Sequence, residues 1–183
     1  MRLARNSREV LTDEQRLLYD EISGGKRSLG RQSFSLVGED GALEGPFNAM
    51  LLSPKVGFAL QALGTSIRYG TGLSPRVREG VILMVAAKWD CEFERRAHEP
   101  IALESGLSHD EIKDIGLGET PSDLDTAEMA AFEVSRRLID NGDLSDEEFY
   151  RCSNLLGLEA IFELSTLVGY YSTLALQLRI FRV

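Results

Sequence analysis

The chain has 183 residues, 43% of them apolar and 27% charged, which suits one folded domain with a sizeable core and excludes a disordered polymer. Its net charge is −9, and residues 99–163 hold 17 acidic against 4 basic side chains, a surface that would repel phosphate backbones, so no nucleic-acid partner is expected. The longest charge-free run, residues 164–178, is too short and too polar to span a bilayer, and no secretory signal or anchor is readable near the N-terminus; a cytoplasmic protein with no membrane partner is expected.

Cap residues and glycines punctuate the chain as helix after helix, with residues 1–11 read as flexible. Thr12 with Gln15 forms a capping-box pattern that opens a first helix to about Ile22, stopped by Gly24 and Gly25. Residues 28–45, with Gly30, Gly38, Gly41 and Gly45, read as an irregular connection, followed by a short helix over Pro46 to Leu52. Ser53-Pro54 and Ser74-Pro75 each place a cap residue before a proline at the first helical position, opening helices over about 54–69 and 75–89. The second contains the run from Val81 to Ala87 and is expected to be a central helix, apolar on nearly all sides.

Ser108 with Glu111, Asp125 with Glu128, and Ser145 with Glu148 mark three later helix starts, with Gly106, Gly142 and Gly157 ending the helices before them. A final long apolar helix covers about 158–181. The expectation is an all-α single domain of seven or eight helices. A shift of 80 positions lays Glu79-Gly80-Val81-Ile82 over Glu159-Ala160-Ile161-Phe162, which suggests two weakly related halves, about 46–120 and 121–183, with the polar set confined to the first.

That polar set is Asp90-Cys91-Glu92-Phe93-Glu94-Arg95-Arg96-Ala97-His98. On a helix, Cys91, Glu94 and His98 fall on one face, while Glu92 with Arg96 and Arg95 with Glu99 are spaced as exposed i,i+4 pairs. A carboxylate beside a partly buried imidazole orients its tautomer and holds its proton affinity near neutrality, as general acid/base chemistry requires; the bland alternative is a structural histidine. Glu79, at the head of the most apolar helix, shares a face with Ile82, Leu83 and Ala86 and either points inward or pairs with Arg76 one turn earlier. Cys91, in the first turn of a helix starting near Asp90, could have a depressed pKa, or could be an ordinary buried thiol. Two cysteines and two histidines argue by count against a structural zinc, and Glu79, Glu94 and His98 would make a poor metal site, so no metal and no cofactor are expected. Phe47, Asn48 and Trp89 are placed in the core or at the wall of a substrate pocket, and His109, inside a capping box, at the surface.

The spacing Glu79, Cys91, position 94, His98 resembles the Glu-x11-Cys-x2-Cys-x3-His pattern of the AhpD-like proteins. Gly45-Pro46-Phe47-Asn48, Ser74-Pro75-Arg76, Arg78-Glu79, Ala97-His98-Glu99-Pro100 and Val168-Gly169-Tyr170-Tyr171 are similar to the carboxymuconolactone decarboxylase branch, over about residues 12–183 and most specifically over 74–107. The resemblance implies the all-helical AhpD-like fold assembled as a homo-oligomer, a trimer or a hexamer. It departs from the disulfide reductases of that group at Glu94, which stands where a second cysteine would resolve a mixed disulfide, so the dithiol cycle is closed to this chain unless Cys152 lies near. The decarboxylase branch, as the resemblance implies, removes CO2 from a carboxylated unsaturated lactone without a cofactor. The reading that follows is an enzyme acting by acid/base chemistry on a small lactone, keto or carboxylate compound. His98 would be the acid/base, Glu79 and Glu94 its orienting or relay partners, and Cys91 a pocket residue. Two alternatives stand beside it: a hydroperoxide reductase using Cys91, and a non-catalytic oligomeric binding protein.

Overall fold

The structure, a computed structural model, describes residues 2–25, 33–121 and 123–183; residues 28–32 of the expected connection, Gly30 among them, lie outside the described residues. Among the described residues there are nine α-helices and one 3-10 turn (Arg8–Val10), with two isolated antiparallel bridges, Ser7 to Ala42 and Val37 to Leu43, and no strand. The helices are α1 (Asp13–Gly24), α2 (Pro46–Met50), α3 (Pro54–Tyr69), α4 (Pro75–Lys88), α5 (Glu92–Glu104), α6 (His109–Gly116), α7 (Thr126–Asn141), α8 (Asp146–Leu156) and α9 (Leu158–Phe181). No helix among the described residues is long and apolar enough to cross a membrane.

The described residues form nine α-helices where seven or eight were expected, and two of the boundaries are sharp breaks. Between α8 and α9 the break is Gly157, at φ 83°. Between α4 and α5 it is made without glycine: Asp90 takes φ 48°, the Asp90 N–H donates to the Ala87 carbonyl, and the Cys91 N–H donates to the Ala86 carbonyl at 2.8 Å. That pair of bonds is a Schellman stop with aspartate in the left-handed position.

Four helices begin with complete capping boxes, in which side chain and backbone satisfy one another reciprocally: Thr12 with Gln15, Ser108 with Glu111, Asp125 with Glu128 and Ser145 with Glu148. The two Ser-Pro starts differ. Ser74 accepts from the Val77 N–H, whereas the Ser53 side chain makes no cap bond and α3 relies on Pro54 at its first position.

Helix α4 is the centre of the molecule, packed by α5, α6, α7 and α9 and buried continuously from Glu79 to Ala86. A Cβ on Gly80 would come within 2.4 Å of the Phe132 ring, so α4 and α7 approach at a distance only glycine permits. Residues 2–11, expected to be flexible, are tied down by Arg5 ion pairs to Asp40 and Glu44 at 2.6 Å each, by Arg8 to Asp20 at 2.6 Å and by the buried side chain of Leu11. Glu159, the counterpart of Glu79 at a shift of 80, is exposed, so the two positions share no role.

Candidate active site

The Schellman stop after α4 turns the chain so that α5 packs back along it, and this brings Glu79 on α4 to His98 on α5. His98 Nδ1 lies 2.7 Å from Glu79 Oε2, and His98 Nε2 lies 3.4 Å from Glu94 Oε2 one turn earlier on the same helix. All three side chains are buried, Glu79 completely. Arg76, the other partner considered for Glu79, instead pairs with Glu111 at 2.6 Å and Glu128 at 3.0 Å; Glu79 Oε1 receives the Arg78 guanidinium at 3.3 Å.

Burial works against the charged form of His98, and the hydrogen bonds and charges of Glu79 and Glu94 outweigh it, so its pKa is raised above the ordinary 6.5. Burial likewise works against the Glu79 carboxylate, and the bond and charge of His98 overcome it, so its pKa is lowered from 4.5. The arrangement favours an imidazolium with both ring nitrogens donating to carboxylates. The Tyr171 ring stands edge-on to His98 with centroids 5.3 Å apart, and burial holds its phenol well above the usual pKa, hence protonated.

A cavity of about 20 Å³, room for one water, lies against Glu94 and His98. Its walls are Pro46, Phe47, Ala97, Tyr170, Tyr171 and Leu174, and its rim is formed by the three lining residues that are not fully buried, Phe34, Arg68 and Phe93. Phe34 and Phe93 meet edge to face at 5.2 Å across this rim. Glu94 Oε1 is buried without a hydrogen-bond partner, and such an oxygen calls for a donor from whatever fills the space.

Cys91 is not part of this group. It caps α5 rather than joining its helical face, packs against Ala175 and Leu178, and walls two other surface cavities of about 480 and 370 Å³, neither of which reaches His98. Its position at a helix start suggested a depressed pKa; burial pushes the thiol up instead, and the amides of Glu94 and Phe93 offset this only in part. Cys152 is fully buried on α8 among other core residues.

Of the three expected pocket residues, Phe47 lines the His98 cavity. Asn48 points away, its Nδ2 donating to the Ala4 carbonyl at 3.1 Å, and Trp89 lines the 370 Å³ cavity beside Cys91. The pair Arg95–Glu99 forms at 3.7 Å, while Arg96 lies over the Phe93 ring at 5.9 Å rather than on Glu92. His109 is exposed. Sequence reasoning missed Arg68 and Phe34; a lone arginine in the otherwise uncharged α3 after Lys55 was the available signal. Among the described residues no group of three or more His, Cys, Asp or Glu side chains is arranged to hold a metal ion.

Residues 54–137 match the Carboxymuconolactone decarboxylase family, a segment that contains Glu79, Cys91, Glu94 and His98. No curated protein matches the chain. Among solved structures, its fold is similar to the crystal structure of an alkylhydroperoxidase AhpD core, an uncharacterized peroxidase-related protein from Ralstonia eutropha JMP134, with a TM-score of 0.74 over 98% of this chain and 88% of that one. At 13% identity that likeness carries the fold and nothing of the chemistry. Helices, site spacing and matched segment agree: residues 54–137 match the carboxymuconolactone decarboxylase family, and the chain around them has a fold similar to that of the AhpD core.

Proposed function

We propose that the protein is a cofactor-independent enzyme that moves a proton to or from a small lactone, keto or carboxylate compound, with His98 as the acid/base. The observation that carries this reading is the imidazole held between two buried carboxylates, one of which, Glu94, keeps an unpartnered oxygen beside the cavity. In a decarboxylation, the C–C bond to the carboxylate breaks, CO2 leaves and the electron pair passes into a conjugated carbonyl as a dienolate. The oxyanion then needs a donor, a role the protonated phenol of Tyr171 fits. Carbon takes a proton from the His98 imidazolium through Glu94, and water restores it, Glu79 holding the ring in place throughout. The small cavity requires Phe34 and Phe93 to part for a substrate to enter.

The thiol reading has one observation in its favour, that Cys91 borders two surface cavities, and two against it, the raised pKa and Glu94 in place of a resolving cysteine. Turnover of a panel of lactones and keto acids, beside a hydroperoxide with added thiol, separates the readings. His98→Gln is expected to lower proton-transfer turnover about 100-fold or more while Cys91→Ser keeps most of it. The reverse pattern would refute the assignment, and silence toward the whole panel would favour a binding protein that lost the chemistry.

A further inference from the structure

The cavity against Glu94 and His98 measures about 20 Å³, the room of one water or one hydroxyl group, so it takes a single polar group of a substrate and none of its body. What that group must be is set by Glu94. Its Oε2 lies 3.4 Å from His98 Nε2, and its Oε1 has no hydrogen-bond partner although the residue is only 3% exposed. A carboxylate oxygen accepts, so the group that satisfies it is a donor. An ether, a carbonyl or a methyl in that space leaves the oxygen unsatisfied, and a second carboxylate is repelled. An ammonium would meet the His98 imidazolium beside it. A neutral hydroxyl meets every condition.

The body of such a molecule has space next door. The cavity of about 370 Å³ is large enough for a small ring compound, and Phe93 is the one described residue that lines both it and the inner cavity. Along α9, Tyr171 and Leu174 face the inner cavity, and Ala175 and Leu178, about one turn further on, face the outer one. The Phe93 ring lies over Gly45, where any Cβ would collide with it, so the partition between the two cavities is a single side chain, which a rotamer change can open. Asp90 and Glu92 border the outer cavity together with Arg96 and Arg179, a balance of signs that suits an uncharged molecule.

We propose that Glu94 Oε1 is the subsite for the hydroxyl of a small, uncharged ring compound, an alcohol or an enol, whose body lies in the outer cavity against Trp89 with Phe93 turned aside. The inference rests on the proposed proton-transfer reading for its chemistry, since the hydroxyl then shares a carboxylate with His98, and it makes a separate claim about binding. The test uses two probes of one shape, α-hydroxy-γ-butyrolactone and α-methyl-γ-butyrolactone, titrated into the whole protein. Calorimetry reads affinity, and the emission of Trp89, the single tryptophan of the chain, reads occupancy of the outer cavity. Wild type is expected to bind the hydroxy lactone at least about tenfold more tightly than the methyl lactone, the usual worth of a hydrogen bond to a charged group, and both should shift Trp89 emission. Glu94→Met, which removes the acceptor at similar size, should abolish the preference with the methyl lactone bound as before, and Glu94→Gln, with a neutral carbonyl oxygen, should keep part of it. Unaltered far-UV circular dichroism checks that the variants fold. Equal affinities in the wild type, binding of neither lactone at millimolar concentration, a preference that survives Glu94→Met, or calorimetric binding that leaves Trp89 emission unmoved would each overturn the proposal. Full turnover in His98→Gln together with an intact, Glu94-dependent preference would refute the proton-transfer reading alone.

Discussion

His98 and Glu79 form a buried ion pair whose two pKa shifts run in opposite directions, and this fixes how stability depends on pH. A histidine raised above 6.5 contributes stability that is complete below that pH and lost as the pH climbs through its folded-state value. A glutamate lowered below 4.5 contributes stability that is complete above that pH and lost as the pH falls through its folded-state value. The pair therefore contributes most between pH 4.5 and 6.5 and weakens on both sides. The difference in melting temperature between the wild type and a His98→Gln, Glu79→Gln double variant, followed across pH, should peak in that window; a flat difference would contradict the pairing. Removing one partner is a harsher change. His98→Ala leaves a fully buried carboxylate with only Arg78 at 3.3 Å, and urea unfolding should show a loss of about 3 kcal/mol or more. The spacing of Glu79, Glu94 and His98 made these three legible in the sequence, because two lie on one helix face and the third heads a helix too apolar to hold an idle carboxylate. Arg68 and Phe34 were not legible: they reach the site from 30 and 64 positions away, through helix packing that no local pattern encodes.

At the scale of elements, the starts of helices were easier to read than their ends. A capping box is a local arrangement between residues three apart, and the four read from the sequence all form. The stop between α4 and α5 carries no glycine, since Asp90 does the work usually given to it; a helix start near Asp90 is one of the readings of the sequence, and the stop puts Cys91 at the cap rather than on the helical face. An L-residue held at φ 48° carries strain that glycine avoids, so Asp90→Gly is expected to raise stability by about 1 kcal/mol, read as a higher urea midpoint. An unchanged or lower midpoint would count against the Schellman assignment. Gly80 should behave in the opposite way. Its Cβ would meet the Phe132 ring at 2.4 Å, so Gly80→Ala is expected to destabilise by about 1–3 kcal/mol through overpacking, and a compensating Phe132→Leu should recover part of the loss.

For the whole molecule, the acidic excess of residues 99–163 runs from the end of α5 through α6, α7 and α8 to the first turns of α9, with many carboxylates in the first turns of helices, while α3 and α9 also carry exposed apolar side chains. Val56 on α3 is 56% exposed, and Leu158, Phe162 and Ile180 on α9 are 65%, 71% and 53% exposed. We propose that a second copy of the chain covers these faces, and light scattering at micromolar concentration should return a multiple of 20.3 kDa; a mass near 20.3 kDa would contradict it. The proposed function turns on one proton, the one shared among His98, Glu79 and Glu94. Nitrogen-15 NMR of the His98 imidazole at neutral pH observes it directly. Two protonated ring nitrogens, persisting above pH 6.5, are the expected result, and a single protonated nitrogen at neutral pH would contradict the account of His98 as a buried imidazolium poised to donate.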